Sequence, residues 1–131
     1  MTADRHRLQS VFLVVTAIGL TPIALIYGIS PEKTLQWLFG IDASGVDTRH
    51  IFKAFMGLYL ALAGFWVAGA IKPDLRYAAL WSLFIFMVGL AAGRILSLVL
   101  DGWPSGLLNF YLLLELGFGY IGWRLLKGQK S

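Results

Sequence analysis

The chain has 131 residues, of which 58% are hydrophobic and 14% charged, and its mean hydropathy is +0.73. Four membrane-crossing helices of about 20 residues each would take up nearly all of it, which leaves no soluble domain. The absence of cysteine excludes disulfides, thiol catalysis and thiolate metal sites, and the net charge of +4 comes from basic residues that flank apolar runs, so it argues for membrane topology and against nucleic acid.

The first apolar run, 8–29, contains no charged residue. Arg5 and Arg7 precede it as in a signal peptide, but the run includes Pro22 and ends in Tyr27-Gly28-Ile29-Ser30-Pro31 without a small-x-small cleavage site. A retained first helix is expected, bent at Pro22, with Thr16 or Thr21 satisfying the carbonyl that the proline frees near Ile18.

Residues 30–49 form the longest connection. Ser30, Pro31 and Glu32 are a helix-start signal, Leu35, Leu38 and Phe39 share one face, and Gly40 is a stop. This pattern predicts a short helix lying in the membrane interface, followed by a turn over Asp42–Asp47. The simpler reading is an ordinary connector, and the sharper one is a lid over a pocket mouth.

The remaining spans are predicted at about 51–71, 77–100 and 105–124, giving an all-α polytopic membrane protein: one domain, an antiparallel four-helix transmembrane bundle with the short interfacial helix in its first outer loop. Small residues recur at helical spacing in each of these spans (Gly57, Ala61, Gly64 and Ala68; Gly89 and Gly93; Gly119 and Gly122), which predicts close packing within the bundle. Arg5, Arg7, Lys72, Arg76, Arg124, Lys127 and Lys130 fall at one end, so both termini are expected to be cytoplasmic. Trp66, Trp81 and Trp123 near that end, with Trp37 and Trp103 near the other, are expected to form two aromatic belts.

Two charges interrupt the last two spans, Arg94 and Glu115. Counting 1.5 Å per residue from Asp101 and Ser105 places them roughly 10 and 15 Å below the outer surface. An unpaired charge at the centre of a bilayer costs about 2.5–3.5 kcal/mol on insertion scales, so mutual pairing is the expected arrangement, and intramembrane ionisable groups are functional candidates by default. Lys53, His50 and Asn109 fall in the same outer half, Asp101 is a second partner for Arg94 near the mouth, and Tyr59 and Tyr111 can supply hydroxyls. Together they outline an outward-opening polar pocket. The bland alternative is that the ion pair merely fixes the register of two helices. His6 and His50 have no companion at metal-ligand spacing, and neither phosphate loops nor nucleophile elbows occur, so no metal, cofactor or catalytic set is expected.

The runs Thr48-Arg49-His50-Ile51-Phe52-Lys53-Ala54-Phe55-Met56-Gly57, Gly93-Arg94-Ile95-Leu96-Ser97 with Asp101-Gly102, and Leu112-Leu113-Leu114-Glu115-Leu116 resemble an uncharacterised bacterial family of small four-span inner-membrane proteins, a domain-of-unknown-function family distantly similar to DoxX-like proteins. In that pattern an Arg commonly stands where this chain has Lys53, a substitution that keeps the charge but loses bidentate geometry. The resemblance implies a four-span fold in a bacterial inner membrane and carries no established activity.

The reading favoured by these residues is a binding module for an anionic or lipid-like amphiphile, such as a lipid, quinone or isoprenoid, with membrane lipid as its surroundings. The alternatives are an accessory or scaffold subunit of a membrane complex, a small proton-coupled transporter, working as a homodimer, that uses Glu115, and, last, a membrane enzyme with Arg94 and Glu115 as its acid-base machinery.

Overall fold

The computed structural model describes residues 2–129; Lys130, counted among the basic residues of the terminal end, lies outside them. The described residues are all helical, in five elements: α1 (Thr2–Gly28), α2 (Pro31–Phe39), α3 (Val46–Ile71), α4 (Pro73–Asp101) and α5 (Gly106–Gln129). Three helices are long and apolar enough to cross a membrane, Asp4–Gly28, Val46–Ile71 and Pro73–Asp101. Helix α5 has 24 residues, a sufficient length, but Asn109, Glu115, two tyrosines and several glycines dilute its hydropathy.

The helices extend past the predicted limits. Only Lys72 separates α3 from α4, because Pro73 occupies a first-turn position, where its missing N–H is no loss and its fixed φ suits a helix start. Pro22 sits inside a continuous α1. Thr21 donates to the Ala17 carbonyl and Thr16 to that of Phe12, so neither reaches the expected Ile18 carbonyl. Helix α2 ends at Gly40, whose φ of +67° returns its N–H to the Gln36 carbonyl at 2.9 Å. Thr34 ties α2 back to the Ile26 carbonyl of α1. In the turn between α2 and α3, the Ser44 backbone N–H and hydroxyl both donate to Asp42 and hold its carboxyl below the usual range.

The four long helices run antiparallel in sequence order and associate as two pairs, α1 with α3 and α4 with α5. In the first pair Tyr27 packs against Phe52 and Tyr59, and Met56 fills the space beside Gly28. In the second, Met87 lies against Gly119, and Leu83 and Phe84 against Gly122. The pairs join toward the end that carries the termini. There the Trp66 indole N–H donates to the Ser82 hydroxyl at 3.0 Å, Ser82 in turn donates to the Ala79 carbonyl, and Gly69 admits the Ala79 methyl against its backbone. Phe12 meets Phe118 at a centroid separation of 5.8 Å, and below them Gln9 and Arg5 donate to carbonyls at the end of α5.

Two expectations are corrected by this packing. Trp66 is fully buried in the core rather than part of an aromatic belt, because Ser82 satisfies its N–H there, whereas Trp37 and Trp103 are more than 80% exposed. The small residues also divide differently. Gly119 and Gly122 face the core as expected, but nothing stands within 4 Å of where a Cβ on Gly57, Gly64, Gly89 or Gly93 would lie, so these stripes look outward or into a groove.

Gly69→Val is expected to destabilise the protein by about 1–3 kcal/mol through overpacking against Ala79, read as a lower unfolding midpoint in detergent, whereas Gly57→Ala should leave the midpoint unchanged. Ser82→Ala, which strands the buried Trp66 N–H, should cost about 1–3 kcal/mol in the same measurement.

Candidate functional site

Beyond the level of Tyr59 and Phe86, whose rings meet edge to face at 5.2 Å, the two helix pairs part. Most of the hydrogen bonds and ring contacts that join the pairs lie at this level or nearer the termini, and beyond it the Tyr27 phenol of α1 reaches toward Arg94 of α4. The space left between them is a cavity of about 110 Å³ reached by all four long helices. Thr16, Gly19, Ile23 and Tyr27 come from α1, Tyr59 from α3, Phe86, Leu90 and Arg94 from α4, and Tyr111, Glu115 and Phe118 from α5. Its wall is apolar and aromatic, with the polar groups gathered at one end.

Arg94 and Glu115 form the centre of that polar end. The Arg94 Nε donates to Glu115 Oε1 at 2.8 Å and to Oε2 at 3.0 Å. Both carboxylate oxygens are therefore held by one nitrogen, not by the two-nitrogen fork that arginine usually offers. The remaining donors, on Nη1 and Nη2, make no hydrogen bond of good geometry to protein among the described residues, and neither is a buried orphan. The guanidinium stacks 5.7 Å from the centre of the Tyr111 ring, and the Tyr27 phenol of α1 lies within hydrogen-bonding reach of it. The Glu115 side chain is 8% exposed and that of Arg94 24%, so the acid is buried and the base borders open space.

A second hollow of about 360 Å³ continues from Arg94 toward the far end, between the outer halves of α4 and α5. Gly89, Gly93, Ser97 and Asn109 line it together with Gly102 and Pro104 of the connecting turn. The glycines of α4 thus keep a groove clear; they do not seat a neighbouring helix.

The structure brings together Arg94, Glu115, Tyr59 and Tyr111 in the first cavity and Arg94 with Asn109 in the second. Asp101 lies outside the cluster and accepts the Ser97 hydroxyl at 2.7 Å. Lys53 and His50 do not join it either. The inward face of α3 is Phe52, Met56 and Tyr59, and Lys53 is turned about 100° from Phe52, onto the exposed side with Gly57 and Ala61. Tyr27, Thr16, Phe86 and Phe118 are site residues that the sequence pattern did not single out. Tyr27 shares a helical face with Leu20 and Ile23, but only contact with the other helices shows that this face points inward. Among the described residues, no group of three His, Asp or Glu side chains is placed to hold a metal ion.

All-helical architecture, membrane-length apolar helices and a buried ion pair define a helical protein with the character of a membrane protein. A family model described as a domain of unknown function, DUF4345, matches residues 8–126, and the chain belongs to that family. Neither the curated proteins nor the solved structures contain a significant match.

Glu115→Leu alone should destabilise the protein by about 2–3 kcal/mol by stranding Arg94, a cost discounted because that side chain is a quarter exposed. The double variant Arg94→Met, Glu115→Leu should recover most of the loss, measured as the unfolding midpoint of each variant in the same detergent.

Proposed function

We propose that this chain is a four-span integral membrane protein that holds a lipid-like amphipathic molecule in the cavity at Arg94. The observation that carries this reading is the incomplete use of Arg94: Glu115 engages Nε alone and leaves four Nη hydrogens, with only the Tyr27 phenol in reach, beside an aromatic, mostly apolar hollow. A few polar groups fixed at one end of an apolar cavity suit a ligand with a polar head and a hydrocarbon body.

Counting α5 as the fourth span is supported by its antiparallel packing along α4 and by Glu115, the one charge inside its apolar run, being paired and buried. Helix α2, with Leu35 buried and Trp37 exposed, suits a place in the interface. Basic residues at the terminal end support cytoplasmic termini in a bacterial inner membrane, in keeping with the DoxX-like resemblance. A second reading, an accessory subunit of a membrane complex, draws on the outward stripe of Gly57, Ala61 and Gly64; a stoichiometric partner co-purifying at native expression would favour it.

Native mass spectrometry in a mild detergent tests the binding reading. The unaltered protein should carry bound lipid-like mass, and Arg94→Ala should lose it while keeping its helical circular dichroism. Identical bound mass in both proteins would defeat the proposal.

A further inference from the structure

The ligand's chemical class and its way in can both be read from the same site, and both rest on the binding function proposed for it. Charge comes first. The cavity contains one cation, Arg94, and one anion, Glu115, in direct contact, so the pair is neutral as a unit. Lys53, which would have supplied a second positive charge, is on the exposed side of α3, and the nearest further charge along α4 is another acid, Asp101, one turn beyond Ser97. An anionic head would meet no net positive charge here and would lie close to the Glu115 carboxylate. A neutral oxygen acceptor would take hydrogen bonds from the Arg94 Nη groups without disturbing the Glu115 contact.

The helix seams determine the route in. Tyr27 against Phe52 and Tyr59 closes the seam between α1 and α3. Tyr59 against Phe86 closes the one between α3 and α4, and Arg94 with Glu115 that between α4 and α5. Between α1 and α5 the ring contact of Phe12 with Phe118 forms the floor of the cavity, and among the described residues no hydrogen bond or ring contact joins these two helices above it. Gly19 lies on that open stretch, exposed, with nothing within 4 Å of the position a Cβ would take, and Leu114, also exposed, lines the same cavity from α5. From Gly19 to Tyr27 is about 12 Å along the helix, the distance from the opening to the polar end.

A volume of about 110 Å³ is smaller than a cavity that holds a benzene molecule. The cavity therefore accepts only part of a long molecule; of the ways out for the rest, the hollow beyond Arg94 carries Ser97 and Asn109, whereas the opening between α1 and α5 carries Gly19 and Leu114, which suits a hydrocarbon tail. We infer that the site takes an amphiphile with a neutral, hydrogen-bond-accepting head, a hydroxyl or carbonyl oxygen, admitted sideways from the lipid between α1 and α5 with its tail passing Gly19. Glycerolipids and isoprenoid alcohols share that head chemistry.

The test uses the full chain in a mild detergent, with monoolein, geranylgeraniol and sodium oleate added separately and bound fractions read by native mass spectrometry. The expected result is binding of monoolein or geranylgeraniol at least about tenfold tighter than oleate, reduced by about tenfold or more in Gly19→Phe. The stronger of the two neutral probes identifies the source. Leu114→Trp obstructs the same opening from α5 and should act alike, which covers the case of Gly19→Phe failing to fold. Preferential binding of oleate would overturn the neutral-head assignment while leaving the binding reading in place. Undiminished binding in folded Gly19→Phe and Leu114→Trp would overturn the lateral route. Binding of all three probes no greater than in Arg94→Met, Glu115→Leu would overturn the binding reading itself, and this inference with it.

Discussion

The contact on which the rest of the structure depends is that between Arg94 and Glu115. Either charge alone would be costly in an apolar surrounding, and together they make α5 compatible with a place beside three strongly apolar helices. The pair also sets the register of α5 against α4. With Glu115 fixed at Arg94, Gly119 comes opposite Met87 one turn on, and Gly122 opposite Leu83 and Phe84. The same register brings Tyr111 over the guanidinium and Phe118 to Phe12. Glu115 uses only Nε, so the structural pairing leaves the Nη groups out of the ion pair.

The basic residues near the termini have a structural task besides marking topology. Arg5 donates to the carbonyls of Arg124 and Leu125, joined at Leu125 by Gln9, and Arg76 donates to the carbonyl of Ala70, which also accepts from Ser10. Ala70 lies in the last turn of α3, where intrahelical partners run out, and Arg124 and Leu125 lie near the C-terminal end of α5; cationic donors are favoured at both by the helix dipole. Together with Trp66, Ser82 and the close approach of Gly69 to Ala79, they fasten the two helix pairs at one end. Fastening there, with little to hold the pairs together at the other end, opens a cavity between them.

The sequence by itself determined the all-helical class, the apolar runs, the helix stop at Gly40 and the presence of two charges at compatible depth. These properties follow from composition summed along the chain and from residue chemistry at single positions, such as a glycine that tolerates positive φ or a proline that suits a first turn. Tertiary structure decided the direction in which each helix face points. In a soluble helix a polar side marks the solvent, but lipid and core are both apolar, so α1, α3 and α4 carry little in their sequences to distinguish inward from outward. For that reason Lys53 and Tyr59, both plausible cavity residues by depth, separate once α3 is packed: Tyr59 turns in toward Phe86 and Lys53 turns out. Trp66 enters the core and Gly57 and Gly64 leave it for the same reason. Depth was therefore legible along the chain, and azimuth arose only from the packing of one helix against another.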